Sequence, residues 1–473
     1  MKQHMLLPGV VLPRLPDAGT PPEPASAPSP PAGEEQWPPL HELLGSLIVF
    51  EPQHAQSPPV VVLGLGMGAR PLTPEQQAEL DQAQVVAGGR AQLDRLVPGW
   101  QDDTRPLREY LPLRAPLEPL LTRLEACRSA GRRVLVLADG DPLFFGIGAT
   151  LTRRWGATAL RILPGLSSLQ EACARAGLPW HDVRNVSLHG RGSWRDFNVA
   201  VTRGRPVCVL TDAASSPDML ARHLLDRGVE WFDMQVYQRL GMEDESSRVF
   251  SLREAAAQEG FDPGCTVLLR PRGAVRRPTL GLCDATLAVE HNLITKGPVR
   301  AAALSLLRLS PDHTLWDVGS GSGAVALEAC ALAHEGCVVA VERSPGRALG
   351  IRENRRRCGA AILEVHTGIA PDCFPHLPAP DRIFIGGGCG GDMAEDLLEE
   401  ACRCLRPGGR LVVSCVLMGT MHTALECLRR TGWPVDMLAV QAAESAPLAD
   451  DIRLVPLNPV FLVSCQKPED QSS

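Results

Sequence analysis

A chain of 473 residues, 44% hydrophobic and 21% charged, exceeds what a single hydrophobic core organises, so two or three domains are expected. The 44 Gly and 42 Pro follow no three-residue period, which excludes a collagen-like fibre. Aromatics at 4%, with Tyr110 and Tyr237 the two tyrosines, and a formal charge of −7 argue against nucleic-acid binding as the main task.

The first 58 residues are rich in Pro, Ala and Ser and read as a tail that cannot bury enough apolar surface to offset its ordering entropy. Within it, 41–50 is more apolar and could dock as a short element. A secretory signal is not expected, because the apolar piece at 5–12 is short and broken by Pro8. No apolar run reaches the roughly 18 residues that cross a bilayer, so a cytoplasmic protein without a membrane partner is expected. The fifteen cysteines include no C-x-x-C pair and stand beside no His cluster. They read as buried thiols in a reducing compartment, with no metal site.

From Val60 the pattern changes. The run 60–63 is apolar and mostly β-branched and ends at glycines, as a buried parallel strand does. Thr73-Pro74-Glu75 predicts a helix start, with Thr as N-cap and Pro at the first helical position. Further buried strands are predicted at 134–137, 207–210 and 267–269. A second alternation begins near 290, with a helix at 298–307, strands at 314–318, 338–341, 382–385 and 410–415, a helix at 324–333 and a late strand at 460–464. The fold class is α/β throughout. The predicted domains are 59–272 and 287–473, joined by a linker at 273–286.

The sharper chemical signal is Asp317-Val318-Gly319-Ser320-Gly321-Ser322-Gly323, which follows a strand and opens a helix. Its glycines let main-chain N–H groups approach a ligand, and Glu342, ending the next strand, suits a ribose diol. A plain glycine turn, a nicotinamide dinucleotide and S-adenosyl-L-methionine are the three readings. The spacing is G-x-G-x-G rather than G-x-G-x-x-G, and the acid just before it suits a cationic sulfonium better than a pyrophosphate.

Asn292-Leu293-Ile294-Thr295-Lys296-Gly297-Pro298, that glycine loop, and Phe384-Ile385-Gly386-Gly387-Gly388 together resemble the class I, Rossmann-like precorrin C15-methyltransferases over about 285–465. The resemblance implies donor contacts from Thr295, Asp317, Gly319, Ser320, Gly321, Ser322, Gly323, Glu342 and the loop Gly368, Ile369, Ala370. It implies substrate contacts from Gly386, Gly387 and Gly388. Two departures stand out. Gly297-Pro298 replaces a charged pair, and Gly368-Ile369-Ala370 lacks the usual acid, which removes a side-chain contact to adenine.

Gly64-Leu65-Gly66-Met67-Gly68 is a weaker motif alone. Followed by Asp139-Gly140-Asp141-Pro142, by Leu166-Ser167-Ser168 and by His189-Gly190-Arg191, it resembles the class III tetrapyrrole methyltransferases of the precorrin C5 type over about 60–270. That family has two lobes with the donor in the cleft between them. The resemblance implies donor contacts from Asp139, Gly140, Asp141, Pro142, Leu166, Ser167 and Ser168, and substrate contacts from Gly64, Gly66, Gly68, His189 and Arg191. Ala138 stands where a Ser is common.

Both modules in this order resemble the fused, decarboxylating precorrin C5,15-methyltransferase family of cobalamin biosynthesis. This implies conversion of precorrin-6B (6Y) to precorrin-8, consuming two donors and releasing one CO₂, with homo-oligomerisation through the second domain. Transfer to an electron-rich carbon needs alignment more than a base. For acidic substrate arms and decarboxylation the catalytic candidates are Lys296, Arg300, His291 and His189. A solvated or structural role is the plain alternative for each, and the arginines at 352 and 355–357 read as a solvated helix face. An RNA methyltransferase and a non-catalytic donor or tetrapyrrole sensor are the rival functions.

Overall fold

The computed structural model describes residues 58–102, 108–190, 192–289, 294–390 and 393–469. The expected tail, with its 41–50 element, lies outside them, as do His291 and Arg191.

Three sheets follow one another. The first joins β1 (Val60–Gly64), β2 (Val85–Gly88), β3 (Glu109–Pro112), β4 (Val134–Ala138) and β5 (Leu160–Leu163) in the order β3-β2-β4-β1-β5, all parallel. Its central strands are buried on both faces, which is why they read as unbroken aliphatic runs. The helix Pro74–Gln82 begins as the sequence predicts: Thr73 and Gln76 form a reciprocal capping box.

The second sheet holds β6 (Arg184–Ser187), β7 (Val207–Leu210), β8 (Phe232–Gln238), β9 (Ser246–Ser251) and β10 (Thr266–Pro271), in the order β6-β7-β10-β8-β9. Only β6 and β7 run parallel; β10 lies antiparallel to both β7 and β8. These two sheets are the two lobes of the first module.

The third sheet holds β11 (Thr314–Val318), β12 (Cys337–Glu342), β13 (Leu363–Thr367), β14 (Arg382–Ile385), β15 (Arg410–Cys415), β16 (Val435–Val440) and, after a ribbon of β17 (Ala443–Leu448) and β18 (Asp451–Pro456), β19 (Val460–Gln466). Its order is β13-β12-β11-β14-β15-β19-β16, parallel as far as β15. The reversal of strand order beside β11 creates a crevice at its carboxyl end, where ligands of doubly wound sheets sit.

The stretch between the modules is docked rather than loose. The Leu282 N–H donates to Glu328, and Arg300 donates to the Leu282 carbonyl. Of the helix face read as solvated, Arg356 and Arg357 are exposed, but Arg355 needs correction. Arg355 is 3% exposed and reaches Asp226 of the first module and the Leu363 carbonyl.

Candidate functional site

In the first module the loops after β1, β4 and β5 converge, because these strands are neighbours and parallel. Gly66 and Gly140 exchange backbone hydrogen bonds (2.9 and 3.2 Å), and the Leu65 N–H reaches the Ala138 carbonyl. The approach is so close that a Cβ on Gly64 would lie 2.6 Å from the Gly165 nitrogen. Gly68, with φ at +76°, abuts the Gly241 carbonyl of the second lobe. Glycine is thus required at the seam of the two lobes.

Around this seam Asp141 accepts from the Leu143 N–H at 2.8 Å, fixing the turn, and Asp139 is exposed. Ser167 caps the helix Ser168–Ala176 through a capping box with Gln170, and Leu166, like Leu143 and Phe145, is left exposed. Phe145 holds a positive φ of 54°, a conformation non-glycine residues seldom adopt. His189 is exposed at the end of β6, where the next N–H, of Gly190, donates to Asp212 at 2.9 Å. No hydrogen bond or ion pair among the described residues ties His189 to the glycine seam.

Arg95 is a residue that sequence reasoning missed. It donates to the Gly68 carbonyl, while its Nε and Nη2 are buried with no partner among the described residues. Nothing in the sequence distinguishes it from Arg90, the other arginine of its helix.

In the second module Asp317 is 1% exposed. Its Oδ2 accepts from the Ser320 hydroxyl at 2.7 Å and the Ala326 N–H at 3.1 Å; its Oδ1 is buried without a partner among the described residues. Burial raises its pKa to about 6 despite those two hydrogen bonds. Gly319, Gly321 and Gly323 all take positive φ, and a Cβ on Gly319 would stand 2.7 Å from the Gly387 carbonyl oxygen. The first glycine loop of this module and the Gly386–Gly387–Gly388 turn therefore touch, and the Gly386 N–H donates to Val318.

Glu342, 2% exposed, accepts from the N–H groups of Gly321 and Ser344, both at 3.0 Å, and so holds the loop open. Ser322 is buried, its carbonyl taken by Asn354. The Gly368 N–H donates to the Glu342 carbonyl, and beyond it Ile369 is exposed and Ala370 half-buried. Thus the loops after β11, β12, β13 and β14 meet at one end of the sheet.

Arg300 requires a correction as a contact to substrate arms. It is fully buried, donates to Glu328, Asp284 and the carbonyls of Thr295 and Leu282, and so braces the Thr295-Lys296 segment from behind. Lys296 lies 3.6 Å from Asp284. The apolar rim at the carboxyl end of the sheet also escaped the sequence reading. Val416, Leu417 and Met418, directly after β15, are exposed together with Ile369 and Met393. Three aliphatic residues leaving a strand without a polar turn residue were the available signal.

Two families match: tetrapyrrole (corrin/porphyrin) methylases over residues 59–256, and the precorrin methyltransferase domain over residues 288–467. A precorrin-6Y C(5,15)-methyltransferase (decarboxylating) of Sinorhizobium sp is 32% identical over 419 residues, which is 85% of this chain and 95% of that protein. The chain belongs to the decarboxylating precorrin-6Y C5,15-methyltransferase family. Each half of this precorrin-6Y methyltransferase family member is also similar to a separate protein of Salmonella typhimurium. A cobalt-precorrin-7 C(5)-methyltransferase is 34% identical over 214 residues, 45% of this chain and 100% of that protein. A cobalt-precorrin-6B C(15)-methyltransferase (decarboxylating) is 36% identical over 182 residues, 38% of this chain and 93% of that protein.

Proposed function

We infer that the first module methylates C5 of precorrin-6B (6Y), and that the second methylates C15 and removes the carboxylate of the C12 acetate arm, giving precorrin-8. The observation that carries this reading is the presence of two unlike glycine seams in one chain, each at the carboxyl end of a parallel sheet.

The residues of the second seam fit S-adenosyl-L-methionine. The unpartnered Oδ1 of Asp317 is an acceptor that suits a cationic donor, and the three left-handed glycines that follow it let main-chain N–H groups approach a ligand. When bound, S-adenosyl-L-methionine supplies a methyl on a good leaving group. The chain's own work is to hold and to exclude. Gly319 against Gly387 sets the floor, Glu342 fixes the loop, and the rim of Ile369, Leu417 and Met418 dries the mouth. Alignment of this kind contributes on the order of 7–11 kcal/mol without a dedicated base. A dry mouth also favours loss of a carboxylate whose electron pair delocalises into the pyrrole system. In this reading Lys296, braced by Arg300, meets an acidic arm, and Leu143, Phe145 and Leu166 line the first mouth.

In the same reading the enzyme works in the cytoplasm, where its fifteen free thiols persist, and no described helix is long and apolar enough to cross a membrane. It associates with further copies through the ribbon β17–β18, whose Leu448, Ile452 and Leu454 are 57%, 68% and 72% exposed.

Incubating the chain with labelled donor and precorrin-6B tests the function. A product that has gained two methyls and lost one CO₂ supports it. Donor binding without product points to a sensor, and tight retention on heparin at moderate salt points to RNA.

A further inference from the structure

We propose that the half-processed tetrapyrrole leaves the chain between its two methylations and reaches the other site through solvent, because the two donor sites open on opposite ends of the second module's sheet. This rests on the site assignment just given.

Every donor loop of the second module follows the carboxyl end of a strand: Gly319–Gly323 after β11, Glu342 closing β12, Gly368–Ala370 after β13, Gly386–Gly388 after β14. Among the described residues, the polar ties from the first module to the sheet land at or before its amino end. Arg195 donates to the carbonyl of Asp312, two residues before β11, and Arg203 pairs with Glu335, two residues before β12. Arg227 donates to the carbonyls of Ala361 and Leu363 and to Glu364, at the start of β13. A five-residue strand such as β11 separates these ends by about 17 Å of solid, hydrogen-bonded sheet.

The first module meanwhile turns its donor loop toward that amino end. Phe145 lines a cleft of about 370 Å³ with Arg184, Asp196, Asp312 and Glu335. The modules are also clasped against swinging. Arg227 and Arg355 are 6% and 3% exposed in the interface, and the Trp231 ring lies 3.0 Å from where a Gly359 Cβ would stand. The separate Salmonella proteins similar to each half have no fused partner to share a chamber with.

The decisive measurement is on the wild-type chain turning over excess precorrin-6B. Singly methylated tetrapyrrole is expected in the ultrafiltrate at concentrations above that of the enzyme. An unlabelled pool of it should dilute label in the final product in proportion to its size. A second arm mixes Asp141→Ala with Asp317→Ala chains. Each alone is first shown to retain one methylation, which checks the site assignment independently. The mixture is expected to make doubly methylated product at no less than about a third of the wild-type rate. Wild-type product formed with no free intermediate and no label dilution overturns the proposal, as does a mixture that makes none while each variant keeps its own methylation.

Discussion

Nη2 of Arg227 donates to both carboxylate oxygens of Glu364, at 2.7 and 2.8 Å, across the junction of the two modules. The same guanidinium spends Nη1 on the carbonyls of the buried residues Ala361 and Leu363, at the start of β13, and Nε on His223 at 2.8 Å. Arg227→Ala strands these acceptors in a dry interface. It should cost about 2 kcal/mol, the half-exposed Glu364 keeping the loss below that of a fully buried pair. Arg227→Lys should recover less than half, since an ammonium cannot span the set. Denaturant melts of the whole chain check both.

His223 gives that junction a pH dependence. Burial, with Arg227 and Arg355 beside it, lowers its pKa to about 3. The unfolded chain therefore binds a proton that the folded ring refuses. This contribution to stability is complete above about 6.5 and is lost as pH falls toward 3. Melting temperatures of the wild type and His223→Gln should converge as pH is lowered, and parallel curves would contradict this.

Asp317 behaves oppositely. Its raised pKa, about 6, means that the folded state holds a proton more tightly than the unfolded one, so its ionisation removes stability as pH rises through 6. A cationic donor prefers the carboxylate. Donor binding at the second site should weaken below pH 6 and release a proton near pH 6, measured by calorimetry in buffers of different ionisation enthalpy. Asp317→Asn should abolish the proton release.

Gly319→Ala tests the loop contact. With φ at +69° and the Gly387 carbonyl 2.7 Å from the new methyl, the two loops must part. Donor affinity at the second site should fall at least tenfold while C5 methylation persists, read by single-site titration and product mass.

The strands at 207–210, 314–318, 382–385 and 410–415 were legible to the residue, because buried strands are written as short, mostly apolar runs bounded by turn residues. The cap at Thr73 was equally plain, since capping is local in sequence. The antiparallel β8 and β9 were not seen. They are paired to each other with one face half exposed, and their mixed composition carries no strong period. Arg300 and Arg355 were misread for a related reason. An arginine on a helix is normally solvated, and the carboxylates that let these two be buried, Glu328, Asp284 and Asp226, lie far away in sequence. The glycine seams were visible as motifs, but that Gly319 touches Gly387 could only come from the fold.

The exposed ribbon offers a test of association. Leu454→Asp combined with Ile452→Asp should reduce the mass seen by light scattering to that of one chain, with both donor sites intact. An unchanged mass would place the contact elsewhere.

The central claim is that one polypeptide owns two independent seats for the methyl donor. Calorimetric titration of the full chain with the demethylated donor product, S-adenosylhomocysteine, at pH 7.5 tests it most directly. The account predicts two sites per chain, one lost in Asp141→Ala and the other in Asp317→Ala. A stoichiometry of one, abolished by either substitution, would contradict it.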